Sequence, residues 1–126
     1  MNPFKHAAIG GLHALLAVLL GAFAAHGLEG WLSADRLDTF ETGVRYHMYH
    51  GLGIVLIALA ADRIGPVRSL LWSMRLLNLG IALFSLSLYV LSVSGVTWLG
   101  AITPLGGIAF IAGWLLFAAT LWRNHG

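Results

Sequence analysis

The chain has 126 residues, of which 59% are hydrophobic and only 10% charged, against about a quarter charged in soluble domains, so most of its surface must face lipid. A net charge of +2 from scattered basic residues leaves no nucleic-acid footprint. The absence of cysteine excludes disulfides, thiolate chemistry and the cysteine-bearing zinc or iron–sulfur sites, which leaves His and carboxylates as the available metal ligands.

After Lys5, the 23 residues from His6 to Leu28 carry no Asp, Glu, Lys or Arg. Ala22-Phe23-Ala24 has the form of a signal-peptide cleavage site, but the run exceeds the 7–15 residues usual for a signal core. It reads as a retained first span over residues 7–28. Gly10, Gly11 and Gly21 are tolerated there, and Ala17, Gly21 and Ala25 form a small-residue stripe at which a neighbouring helix can approach closely. His13 is expected to face the bundle and to bond a backbone carbonyl or Asn78, with a proton relay as the functional alternative.

Residues 33–45 are the strongly polar stretch. Leu37, Phe40 and Val44 recur at helical spacing beside Asp38, Glu41 and Arg45, which predicts an amphipathic helix. Ser33 is its N-cap, Asp35 suits its first turn, and Leu32 with Leu37 has hydrophobic-staple spacing. Glu41 and Arg45, four apart, are expected to pair. No breaker separates this helix from the apolar residues 46–61, which are slightly too few to cross alone. One continuous helix, partly outside the membrane, is expected, ended by Asp62-Arg63-Ile64-Gly65-Pro66, where Pro66 lacks an N–H donor.

Residues 76–122 contain no charged side chain over 47 positions. As one helix they would extend about 70 Å against a hydrocarbon core of about 30 Å, so the chain must turn back. The turn falls between Gly95 and Pro104, which separates a third span, 70–94, from a fourth, 105–122. Thr103 as N-cap and Pro104 at N1 open the last span, where Ala109 and Gly113 repeat the small-residue spacing. The fold class is therefore all-α: a single-domain (1–126), four-helix antiparallel transmembrane bundle with an amphipathic helix leading into the second span.

With four spans, Lys5, Arg63, Arg68, Arg75 and Arg123 share one side and only Arg36 and Arg45 the other. The positive-inside rule then places both termini in the cytoplasm, in a bacterial inner membrane. Trp31 and Trp98 fall at the outer boundary, Trp72 and Trp122 at the inner one, and Trp114 within a span. Arg75 is expected to snorkel toward the near interface.

The same topology gathers polar groups. His26, Glu41, Arg45, Tyr46, His47, Tyr49, His50, Ser85, Ser87, Tyr89 and Thr103 are expected in one patch in the outer half of the bundle. Ionisable side chains at membrane depth often mark a ligand, proton or cofactor site. They also serve as hydrogen-bonded links between helices. Ligation of haem or a metal by His26 with His50 or His47 is the sharper functional alternative. His6 and His125 are terminal and need no role. The Walker, G-x-S-x-G, H-E-x-x-H and Rossmann signatures are absent from the sequence.

Four segments carry a family resemblance. They are 21–28 (GAFAAHGL), 40–50 (FETGVRYHMYH), 84–89 (FSLSLY) and 102–107 (ITPLGG), together with Phe110, Gly113 and Trp114. Through these the chain resembles, over nearly its whole length, the Domain of Unknown Function 423 family, small integral membrane proteins that include relatives of transmembrane protein 256. The resemblance implies four spans and brings no activity. The family pattern usually has Gln at His47, Gly at Leu86 and Lys at Glu29. That concentrates the shared polar cluster on His26, Glu41, Arg45, Tyr46, His50, Ser87, Tyr89 and Thr103.

The expected function is non-enzymatic: binding of a lipid-like ligand, or docking as an accessory subunit on a larger membrane complex or in a homo-oligomer. The alternative is a cofactor- or proton-handling protein, with haem or quinone chemistry, that uses His26, His50 and Tyr46. The sequence specifies no catalytic residue, metal site or cofactor.

Overall fold

The computed structural model describes residues 1–65 and 67–124; Pro66, the expected helix stop, and His125, expected to have no role, lie outside them. Four long apolar helical segments, Pro3–Leu28, Ala34–Ile64, Arg68–Ser94 and Thr97–Arg123, are each able to cross a bilayer. Helix α1 (Pro3–Phe23) starts earlier than the hydropathy suggested, because Asn2 Oδ1 accepts from Phe4 N and Lys5 N, at 3.1 and 3.4 Å, and Pro3 occupies a first-turn position that needs no donor. It runs into a π-turn, Ala24–Leu28, where the Phe23 ring folds so closely over Gly27 that a Cβ there would lie 2.6 Å from it.

Helix α2 (Ala34–Ile64) is uninterrupted over 31 residues, as the missing breaker requires. Ser33 caps it by accepting from Arg36 N at 3.2 Å. Leu32 and Leu37 both pack on the small core of Ala24, Leu28 and Phe40, which fixes how the chain enters the helix.

The third span is α3 (Arg68–Gly80), a π-turn (Ile81–Ser85) and α4 (Leu86–Ser94) in continuous succession. Its fully or nearly buried positions step through Leu70, Met74, Leu77 and Ile81, then Ser85, Leu88 and Ser92. Gly95, at φ 75°, ends α4. Arg36 from the first turn of α2 lies directly against this glycine, where its charge suits the carbonyl end of the helix.

A 3-10 turn (Thr97–Ala101) leads into α5 (Thr103–Arg123). Thr103 does not cap α5. The turn already satisfies the entry through Ile102 N to Leu99 O and Leu105 N to Ile102 O, both 3.0 Å, which frees the Thr103 hydroxyl for Ser87.

The four segments are not equivalent. The second and third are 44% and 39% buried over their most apolar stretches, the first and fourth 17% and 22%, so α2 and the third span form a central pair flanked by α1 and α5. Each flanking helix docks through glycine. A Cβ at Gly10 would come 2.6 Å from Gly51 O, and one at Gly106 would press on the Phe84 backbone N and lie 2.9 Å from Gly80 O. Such contacts bring backbones together where no hydrophobic driving force separates protein from lipid. Of the expected stripe, Ala17 is buried and Gly21 meets Val44, whereas Ala25, in the π-turn, faces outward and Ala24 takes the inward position. Both termini and the α2–α3 connection lie at one end, the terminal face; the α1–α2 and α4–α5 connections lie at the other, the connection face. Trp31 and Trp98 are exposed at the connection face and Trp72 and Trp122 at the terminal face, as interfacial belts require. Arg75 lies over the Trp72 ring, 5.0 Å from its centroid.

Candidate functional site

The polar residues do not form one patch. Successive residues on a helix point about 100° apart, so Tyr46 and His47 leave α2 on different sides, and the central position of α2 gives each side its own neighbours.

On the side of α1 and α4 runs a chain of side-chain hydrogen bonds across three spans. Tyr89 Oη lies 2.9 Å from His47 Nδ1, His47 Nε2 lies 3.0 Å from His13 Nδ1, and His13 Nε2 lies 2.8 Å from Asn78 Oδ1. Asn78 Nδ2 donates in turn to Met74 O at 3.1 Å. That last bond fixes the direction of all the others for neutral rings. A carbonyl only accepts, so Asn78 must present its amide N–H₂ to Met74 and its oxygen to His13. His13 then carries its proton on Nε2 and accepts at Nδ1, His47 donates from Nε2, and Tyr89 donates to His47 Nδ1. His13 thus found Asn78, the partner expected from sequence. His47, set aside because the family pattern has Gln there, is the centre of the network. Beside it opens a crevice of about 290 Å³ lined by His13, His47, Asn78 and Tyr89 with Leu16, Leu20, Ile81, Ala82 and Leu86. Leu16 and Leu86 are half-exposed, so its mouth faces lipid.

On an adjacent side of α2, Tyr46 and His50 lie one turn apart and face α5. The His50 ring stacks on Phe110 with centroids 3.5 Å apart and planes 6° apart. Tyr46 packs on Phe84 at 4.6 Å. With Gly107, Ile111 and Trp114 these rings line a crevice of about 550 Å³ whose mouth is marked by Ile111, 69% exposed. His50 Nδ1 lies 2.7 Å from Tyr46 O, a backbone carbonyl, and must donate to it. Nε2 of the same neutral ring is then an acceptor. It has no partner among the described residues and is not fully buried, and the ring lines the crevice. The Trp114 indole N–H and the Tyr46 hydroxyl are likewise without hydrogen-bond partners there.

The remaining expected site residues stand apart from both crevices. His26 is exposed on the π-turn that ends the first span, and no hydrogen bond or ring contact joins it to His50. Arg45 is exposed and donates to Thr42 Oγ1 at 3.0 Å, so the expected pair with Glu41 is absent. Thr42 is three residues back and competes for the same guanidinium from the same helix face. Ser87 and Thr103 do meet, at 2.7 Å, but they bond each other and tie α4 to α5. Ser85 donates to Gly43 O at 2.8 Å and ties the third span to α2. Among the described residues, no three His or carboxylate side chains converge as a metal site would require.

Four antiparallel apolar helices, a polar network closed within them and two crevices open to lipid define a multi-pass membrane protein. The pattern described as "Protein of unknown function (DUF423)" matches residues 20–107, and the chain belongs to that family. It is 52% identical over 108 residues to the UPF0382 membrane protein YwdK of Bacillus subtilis (strain 168), covering 86% of this chain and 88% of that one. It is 43% identical over 118 residues to the UPF0382 membrane protein SH2409 of Staphylococcus haemolyticus, covering 94% and 95%, and 48% identical over 114 residues to SERP0230 of Staphylococcus epidermidis, covering 90% and 92%. No solved structure matches the chain.

Proposed function

We propose that this protein binds a lipophilic molecule drawn laterally from the bilayer into the crevice of Tyr46, His50, Phe110 and Trp114. The observation that carries this reading is His50: its Nδ1 is committed to Tyr46 O, and its Nε2 acceptor is left without a partner in an aromatic crevice. A polar atom without a partner is costly where it meets hydrocarbon in place of water, and a ligand that donates to it removes that cost. The crevice reading is preferred to an accessory-subunit role because its unpartnered atoms lie inside a concave site and not on an outward helix face. It is preferred to bis-histidine haem ligation because His26 is exposed on the π-turn while His50 is buried and stacked on Phe110. We place the protein in the inner membrane with both termini cytoplasmic, on the five basic residues at the terminal face against two at the other.

Gly107 supplies the test. It lines the crevice, and a Cβ added to it meets nothing within 4 Å, so Gly107→Leu fills the space without displacing the backbone. Small molecules extracted from the purified protein and identified by mass spectrometry are expected to include a lipophile enriched over bulk membrane lipid. That lipophile is lost from Gly107→Leu while the variant still folds. A profile equal to bulk lipid in both proteins overturns the reading.

A further inference from the structure

We infer that the ligand of this crevice is a ring amphiphile that donates a hydroxyl proton to His50, a phenol- or hydroquinone-type head on an apolar tail, and that the same ring without the donor is discriminated against. This rests on the ligand-binding reading above and names the chemistry of the ligand.

The donor requirement follows from proton accounting. Tyr46 O takes the imidazole's single N–H at 2.7 Å, so in a neutral ring Nε2 has only a lone pair to offer. His50 is only 5% exposed, and no side chain among the described residues reaches that atom. A carbonyl, ether or ester head would set acceptor against acceptor, and an acyl chain would leave the lone pair unpaired. Sites built to bond a substrate hydroxyl reject analogues lacking it, because the site's own buried group is then stranded.

The ring follows from the walls. His50 and Phe110 are almost parallel, Tyr46 is inclined to His50 by only 16°, and Phe84 lies against Tyr46, so the crevice presents flat aromatic faces on which an offset planar ring stacks. The Trp114 ring, 6.1 Å from His50, lines the same space with an unpartnered N–H that suits a second oxygen on the ligand. Depth is consistent with an amphiphile. Gly107 and Trp114 stand 4 and 11 residues into α5, about 6 and 16 Å below its start, which places the head in the leaflet nearer the connection face. The tail leaves past Ile111.

The experiment uses the full chain in lipid nanodiscs and two probes, 4-decylphenol and its methyl ether, which share ring and tail and differ in the donor. Calorimetric titration is expected to give roughly tenfold tighter binding of the phenol. The ratio falls to about one in His50→Phe, which keeps the stack on Phe110, and persists in Trp114→Phe. Should His50→Phe fail to fold, the ¹⁵N resonance of His50 Nε2 in the unaltered protein serves instead: it moves with the phenol and not with the ether. Equal affinities, or a preference that survives in His50→Phe, overturn the ring-donor inference. If neither probe binds but a lipophile sensitive to Gly107→Leu co-purifies, the donor-ring class is wrong and the ligand-binding reading stands. If neither probe binds and nothing co-purifies, both fail.

Discussion

His47 Nε2 lies 3.0 Å from His13 Nδ1, and this contact joins α1 to α2 at the level where α2 also meets the third span. Each ring nitrogen of the pair has a partner, and the orientation of the whole chain is set at its far end by Asn78 donating to Met74 O. Nitrogen-15 spectra of the membrane-embedded protein should therefore show His13 and His47 both protonated at Nε2, and His50 protonated at Nδ1. An Nδ1–H tautomer at His47 contradicts the assigned direction.

Tyr89→Phe removes one hydroxyl and leaves His47 Nδ1 without a donor. Unfolding in detergent should show a loss of about 1–3 kcal/mol, the usual range for stranding a buried acceptor. A double-mutant cycle between His13→Leu and Asn78→Leu should give a coupling of roughly 0.5–2 kcal/mol, in keeping with interhelical hydrogen bonds in membranes. Strict additivity would mean that the 2.8 Å contact contributes nothing.

Two glycine replacements should behave oppositely. Gly106→Ala drives a methyl group into the Phe84 backbone and should cost about 1–3 kcal/mol as α3 and α5 are forced apart. Gly11→Ala meets nothing within 4 Å and removes a flexible residue from a helix, so it should be neutral or stabilise by up to about 1 kcal/mol. Thermal denaturation of the two variants side by side reports the difference.

His26→Ala should leave stability within about 0.5 kcal/mol of the unaltered protein, the range typical of exposed substitutions. It should also leave the affinity for 4-decylphenol unchanged, because His26 lies outside the crevice. A loss of binding would show that the π-turn reaches the ligand.

The chain has no cysteine, so single cysteines report orientation cleanly. Cysteine at Glu29 or Trp98 should react with an impermeant maleimide added to intact cells, and cysteine at Asn2 or Asn124 only after permeabilisation. The reverse pattern would place the basic terminal face outside.

Local composition and spacing were enough for the number and limits of the spans, though not for every cap or i, i+4 pair, as Thr103 and Arg45 show. The uncharged stretches set the number of spans, Ser33 marked the start of α2, the lack of a breaker after Arg45 made α2 continuous, and Gly95 marked the end of α4. Bilayer thickness and backbone hydrogen bonding restrict an apolar chain to helices of nearly fixed length, so these features need no knowledge of neighbours. Which polar groups meet was decided only by tertiary structure. Residues at one depth stand on different helix faces, and the faces are assigned by which helix is central: α2 sends His47 toward His13 and Tyr89, and Tyr46 with His50 toward Phe110. The π-turn at Ile81–Ser85 was likewise not legible beforehand, since a run of apolar residues carries no local mark of a widened turn.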